Sequence, residues 1–139
     1  MRERRCSSAF IAANLMYGFY DLGLTPSAKH SDGAAVINRP LLEVMSASFR
    51  GTMEASDPRV SPIFADLSDL PSALFTVGTL DPLLDDSLFM HMRWQTAGNP
   101  SELALYPGGF HAFNLLGGQL AADANTRAAL FLKQSLDQV

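Results

Sequence analysis

The chain of 139 residues predicts an α/β fold built on a parallel sheet, and three observations carry that expectation. Two short apolar runs, residues 73–79 (ALFTVGT) and 102–106 (ELALY), are each followed by a helix-spaced segment, so strand, helix, strand and helix succeed one another through short connections. An earlier run, residues 12–21 (AANLMYGFYD), is apolar on both alternating sets, as expected of a strand covered on both faces. The mean hydropathy of +0.09 is high for a small domain and fits a buried sheet or an uncovered face. The length suits one domain or part of a larger one.

Taken in order, Arg2, Arg4 and Arg5 precede an apolar stretch beginning near Ala9, an arrangement that loosely imitates a signal peptide. Glu3 within the basic region, Asn14 within the apolar run and the lack of a small-x-small cleavage site favour a helix tail running into a strand. Residues 22–40 carry Gly23, Pro26, Gly33 and Pro40 with little periodicity and read as loop. A short helix is expected over 40–49. Asn38 caps it, Pro40 fits its first turn, and Leu41, Leu42, Met45 and Phe49 share a face. A second loop passes through Asp57-Pro58 and Ser61-Pro62. The 73–79 strand ends at Leu80-Asp81-Pro82, and Asp85 or Asp86 caps a helix through Thr96 with Leu88, Met92 and Gln95 one turn apart. Gly98-Asn99-Pro100 ends that helix. The 102–106 strand closes at Pro107-Gly108-Gly109, and a last helix over 120–136 places Leu120, Ala124, Ala128, Phe131 and Leu132 on its buried side.

Ten basic against fourteen acidic residues give a net charge of −4 and leave no excess of positive charge for a phosphate backbone. The single cysteine, Cys6, forms no internal disulfide, which excludes the stapled secreted scaffolds, and the helix-tail reading of the first residues gives a cytoplasmic address by default. Charged or turn residues interrupt every apolar stretch before it reaches the roughly 18 residues of a membrane span.

Open parallel sheets gather their chemistry just past the carboxyl ends of the strands. Asp81 follows the first regular strand and His111 the second, and strands about 4.8 Å apart would bring their terminal loops side by side. A carboxylate that hydrogen-bonds an imidazole orients it as a general base. Each residue also has a plainer reading: Asp before Pro opens turns, and Gly108-Gly109, which could pass for an anion-binding turn, reads better as a flexible bend presenting His111. His30 and His91 share no metal-ligand spacing with His111, so no metal is expected. Trp94 and the methionines near it read as packing residues. No Gly-x-Ser-x-Gly elbow and no His-Gly-Gly stretch occurs, so the sequence holds two members of a triad without its nucleophile.

SPIFADLSDLPSALFTVGTLDPLLDDS, ELALYPGGFHAF and NLMYGFYDLGLTPS together resemble the C-terminal half of hormone-sensitive-lipase-type α/β-hydrolases, over about residues 8–135. The resemblance implies a partial α/β-hydrolase fold and carboxylic ester hydrolysis by a Ser–Asp–His triad without a cofactor. Asp81 would be the acid and His111 the base, and Ala112 stands where the family usually has glycine. Residues 24–60 would form a cap-like insertion, in which Leu41, Leu42, Met45 and Phe49 shape the acyl or alcohol pocket, and 61–139 a catalytic-core βαβα unit. The elbow and oxyanion motif would lie upstream of Met1, with residues 1–5 resembling the end of the helix after the elbow. The apolar strand at 12–20 would then expose an edge that self-associates or accepts a complementing N-terminal half. A non-catalytic fragment is the competing expectation.

Overall fold

In a computed structural model that describes residues 10–137, three parallel strands in the order β1-β2-β3 form one sheet. β1 is Ala12–Met16, β2 is Ser72–Gly78 and β3 is Ser101–Tyr106. Ala12 pairs with Ser72 and Met16 with Thr76 across the first ladder, and Ala73 with Ser101 through Gly78 with Tyr106 across the second. The sheet is therefore parallel throughout, with β2 at its centre.

The central strand explains the high hydropathy. Ala73 to Gly78 are all buried, and alternate side chains leave for opposite faces. Ala73 and Phe75 pack with Met90 and Trp94 of α3, Leu84–Thr96, whereas Leu74 packs with Ala104 and with Ala128 of α4, Gln119–Leu136. Phe75 meets Trp94 edge-on at 5.7 Å, and the indole N–H donates to the Pro71 carbonyl at 3.0 Å. Complete burial of a side chain such as Phe75 is worth about 2–3 kcal/mol.

A second, smaller cluster of Leu24, Ala28, Ile37, Leu42 and Leu83 ties the segment after β1 to the start of α3. That segment holds α1, Pro26–Lys29, and α2, Arg39–Arg50. The Asn38 side chain caps α2 by accepting from Leu41 N at 3.1 Å, as its residue type predicts.

Several expectations are corrected. The strand expected over 12–20 stops at Met16 because Tyr17, with φ of 38°, leaves the extended region. Its residues are half-buried rather than covered on both faces. The 22–40 segment contains α1, which is too short to show a period. Neither Asp85 nor Asp86 caps α3: Leu83 occupies the N-cap, and both carboxylates reach back to the segment after β1. The buried face of α3 is Asp86, Ser87, Met90 and Trp94, leaving Met92 exposed. On α4, Ala121, Ala124 and Ala128 are buried but Leu132 is exposed. The readings of Cys6 and of residues 1–5 lie outside the described residues.

Candidate active site

Two loops leave the carboxyl ends of β2 and β3 and are laced together by hydrogen bonds from backbone N–H groups. Thr79 N donates to Tyr106 O at 3.0 Å, Leu80 N to Gly109 O at 2.9 Å, and Gly108 N to Thr79 Oγ1 at 2.9 Å. The lacing needs glycine at 78 and leaves little room for a side chain at 109. A Cβ placed on Gly78 would sit 2.0 Å from the Gly109 carbonyl oxygen, and one on Gly109 would sit 3.1 Å from Gly78 Cα. Gly108 supplies the positive φ of 76° that turns the chain after Pro107. Composition predicts a flexible bend at Gly108-Gly109. The structure shows instead a backbone-to-backbone contact that fixes the spacing of the two loops.

That spacing brings Asp81 and His111 together. Imidazole Nδ1 lies 3.2 Å from Asp81 Oδ1 and 3.1 Å from Oδ2. The carboxylate is fully buried, whereas the imidazole keeps 17% of its surface exposed. Asp81 Oδ1 also accepts from Leu83 N at 2.9 Å, which holds the carboxylate in its turn. Nδ1–H donates to Asp81 in this arrangement, so Nε2 is the nitrogen free to take a proton. Nε2 has no hydrogen-bond partner among the described residues. Ala112, immediately after the histidine, adopts the left-handed conformation with φ of 63° and ψ of 20°.

Sequence reasoning missed three members of this neighbourhood, Tyr17, Asn114 and Asn125. The Tyr17 ring stands edge-on to the His111 ring, with centroids 4.6 Å apart. Its hydroxyl donates to Asn114 Oδ1 at 2.8 Å, and Asn114 Nδ2 donates to Asn125 Oδ1 at 3.0 Å. Burial, reinforced by the Asp81 carboxylate, raises the Tyr17 hydroxyl above its ordinary pKa. Tyr17 is the first residue past β1, the position where the strand-end rule places site residues.

The four apolar residues expected at a pocket separate. Met45 and Phe49 line a groove of about 400 Å³ with Phe19, Leu22, Arg59, Val60 and Pro62. Leu42 is fully buried in the small cluster beside Leu83, so it forms core and not pocket wall. Leu41 is exposed on α2 and does not line the groove. The other described histidines lie elsewhere: His30 bonds the Pro26 carbonyl, and His91 bonds Ser101. No group of three or more His, Cys, Asp or Glu among the described residues is arranged to hold a metal ion. No described helix is long and apolar enough to cross a membrane.

A family profile of the alpha/beta hydrolase fold matches residues 2–115, a span that contains both Asp81 and His111. The acetyl esterase of Salmonella paratyphi B is 33% identical over 115 residues, covering 78% of this chain and 34% of that protein. The acetyl esterase of Salmonella typhi is 32% identical over the same shares. Among solved structures, a hormone-sensitive lipase from a metagenome library superposes with a TM-score of 0.80 at 27% identity, covering 93% of this chain and 45% of that one. An esterase of Pyrobaculum calidifontis gives a TM-score of 0.77 at 27% identity, covering 90% and 43%. The chain thus spans about a third of the length of the curated relatives it matches. With the parallel sheet, the laced loops and these matches in agreement, the chain belongs to the alpha/beta hydrolase fold family, in its hormone-sensitive-lipase-type group.

Proposed function

We propose that this chain supplies the acid and the base of a Ser–Asp–His carboxylic ester hydrolase, Asp81 as the acid and His111 as the base. The observation that carries the reading is the buried Asp81 carboxylate within 3.1–3.2 Å of His111 Nδ1, at the carboxyl end of a parallel sheet. A serine Oγ attacks the ester carbonyl carbon while His111 Nε2 takes its proton. The same proton then passes to the departing alcohol oxygen, and water cleaves the acyl-serine by the reverse use of the base. Asp81 holds the tautomer and stabilises the imidazolium.

These 139 residues contain no Gly-x-Ser-x-Gly sequence, so the serine comes from a segment beyond them or from a second chain. Short acyl esters are the substrate class, supported by the acetyl esterases among the relatives and by the groove of about 400 Å³ beside Met45 and Phe49. Residues 24–60 serve as a cap over a core formed by 61–139, in the cytoplasm, and no cofactor takes part. The test is hydrolysis of p-nitrophenyl acetate by this chain combined with a nucleophile-bearing N-terminal half. Asp81→Asn should lower kcat roughly 10⁴-fold. Turnover that is unchanged by Asp81→Asn or His111→Ala would remove the pair from the chemistry.

A second reading, a non-catalytic fragment that self-associates or complements a partner, is favoured by β1. That strand lies at an edge of the described sheet, bonded to β2 alone. Asn14 Oδ1 is buried there without a hydrogen-bond partner, and the adjoining Phe10 and Ile11 are exposed. A further parallel strand would cover both features. A compact monomer at micromolar concentration in sedimentation velocity would count against this reading.

A further inference from the structure

Asp81 constrains the imidazole of His111 at one atom only, and a ring held by a single edge still pivots about that hydrogen bond. The second constraint comes from a different strand. Tyr17 lies edge-on to the imidazole at 4.6 Å with an interplanar angle of 63°. A contact of this geometry favours one orientation of the pair and is worth more than its buried area alone.

Tyr17 is held on both sides. Its N–H donates to the Thr76 carbonyl at 2.7 Å, tying its backbone to β2. Its hydroxyl donates to Asn114 Oδ1 at 2.8 Å, in the turn Phe113–Leu115 that follows the histidine. Asn114 is itself fixed: its Nδ2 donates to Asn125 Oδ1 at 3.0 Å, and Asn125 Nδ2 returns a bond to the Asn114 carbonyl at 3.0 Å. The tyrosine therefore grips the imidazole with its ring and, with its hydroxyl, the loop that carries the imidazole.

Tyr17 also occupies a backbone conformation that an aromatic residue rarely adopts, with φ of 38°. Strain of this kind costs of order 1–3 kcal/mol and persists where the surroundings over-determine it. The glycine that would relieve it is the next residue, Gly18, yet the strain sits on Tyr17. Gly18 has its own constraint, because a Cβ there would fall 2.2 Å from the Tyr20 ring.

We propose that Tyr17 is a positioning residue for His111, holding the imidazole in line with Asp81 and linking the end of β1 to the histidine loop. The proposal rests on the reading of Asp81 and His111 as acid and base, but its test does not need turnover. The readout is the His111 Nδ1–H proton, followed by ¹⁵N-edited NMR of the intact chain together with its rate of exchange with water.

In the wild-type protein this proton should be deshielded by Asp81 and slow to exchange. Tyr17→Leu should accelerate its exchange at least about tenfold, because local opening rates report the free energy of the contact removed. Tyr17→Phe keeps the ring and loses only the bond to Asn114, so it should fall between the two at about threefold. An amide spectrum that retains the wild-type dispersion for Phe75 and Trp94 confirms that the leucine variant is folded. Exchange in a folded leucine variant within twofold of wild type overturns the proposal. If that variant does not fold, the phenylalanine variant decides: about threefold faster exchange supports the role, and the wild-type rate overturns it. Absence of ester hydrolysis once a nucleophile-bearing N-terminal half has been added, alongside a protected, Tyr17-dependent Nδ1–H, would defeat the functional reading while leaving the positioning role intact.

Discussion

Asp86 offers the sharpest test of the energetics, because two opposing effects meet on one group. Its carboxylate is fully buried. Oδ1 accepts from Tyr20 N at 2.7 Å and Asp21 N at 2.9 Å, and Oδ2 accepts from Thr25 Oγ1 at 2.6 Å. Burial penalises the charged form and the Asp21 carboxylate adds to that penalty, whereas the three donors favour it. Burial wins, and the Asp86 pKa is pushed up from 3.8 to about 6. The folded state then binds more protons than the unfolded state between those values, so the slope of stability with pH is negative. The stability this group contributes is fully present below pH 3.8 and is lost as pH rises through about 6, a total of about 3 kcal/mol.

The perturbation is Asp86→Asn. The amide carries no charge at any pH, and its carbonyl oxygen still accepts from both backbone N–H groups. Urea unfolding of both proteins across the pH range gives the difference directly, and the other carboxylates cancel. The asparagine variant should gain about 2 kcal/mol on the wild type between pH 4 and pH 7.5. A difference that does not vary with pH would show that the three donors balance burial, and one that moves in favour of the wild type as pH rises would show that they outweigh it; either result refutes the raised pKa.

Three further outcomes follow from the same contacts. Gly78→Ala forces a Cβ into the Gly109 carbonyl, backbone against backbone, and should cost at least about 3 kcal/mol in urea unfolding while separating Asp81 from His111. Ala112→Gly relieves the left-handed strain beside the histidine and should stabilise the fold by about 0.5–1 kcal/mol, read as a raised urea midpoint with unchanged m-value. Asn38→Ala removes the cap from α2 and should cost about 1 kcal/mol in the same assay, without changing the His111 Nδ1–H signal.

The elements that were legible share a cause. β2, β3, α2, α3 and α4 are set by local chemistry: β-branched and aromatic runs, proline and glycine punctuation, and the Asn38 cap. Asp81 and His111 were legible because both stand one short turn past a strand. The misreadings lie where a side chain answers to a distant partner. Asp85 and Asp86 have the composition of a helix start, yet they bond Ser27, Tyr20, Asp21 and Thr25, about sixty residues earlier in the chain. Leu42 shares a helical face with Met45, yet it turns into the cluster under Leu83. One apolar stripe can serve core on one flank and groove on the other, and periodicity does not separate the two.

The sequence by itself determined the class of fold, the parallel order of strands and helices, and the placing of Asp81 and His111 just past neighbouring strand ends, because spacing and residue type act over a few neighbours. The tertiary structure decided how those two residues meet. Gly78 must touch Gly109 for the loops to lace, and Tyr17 must reach across from β1 to stand against the imidazole. These contacts join segments 30 to nearly 100 residues apart, where pairing depends on how the chain closes in space and no local pattern records it.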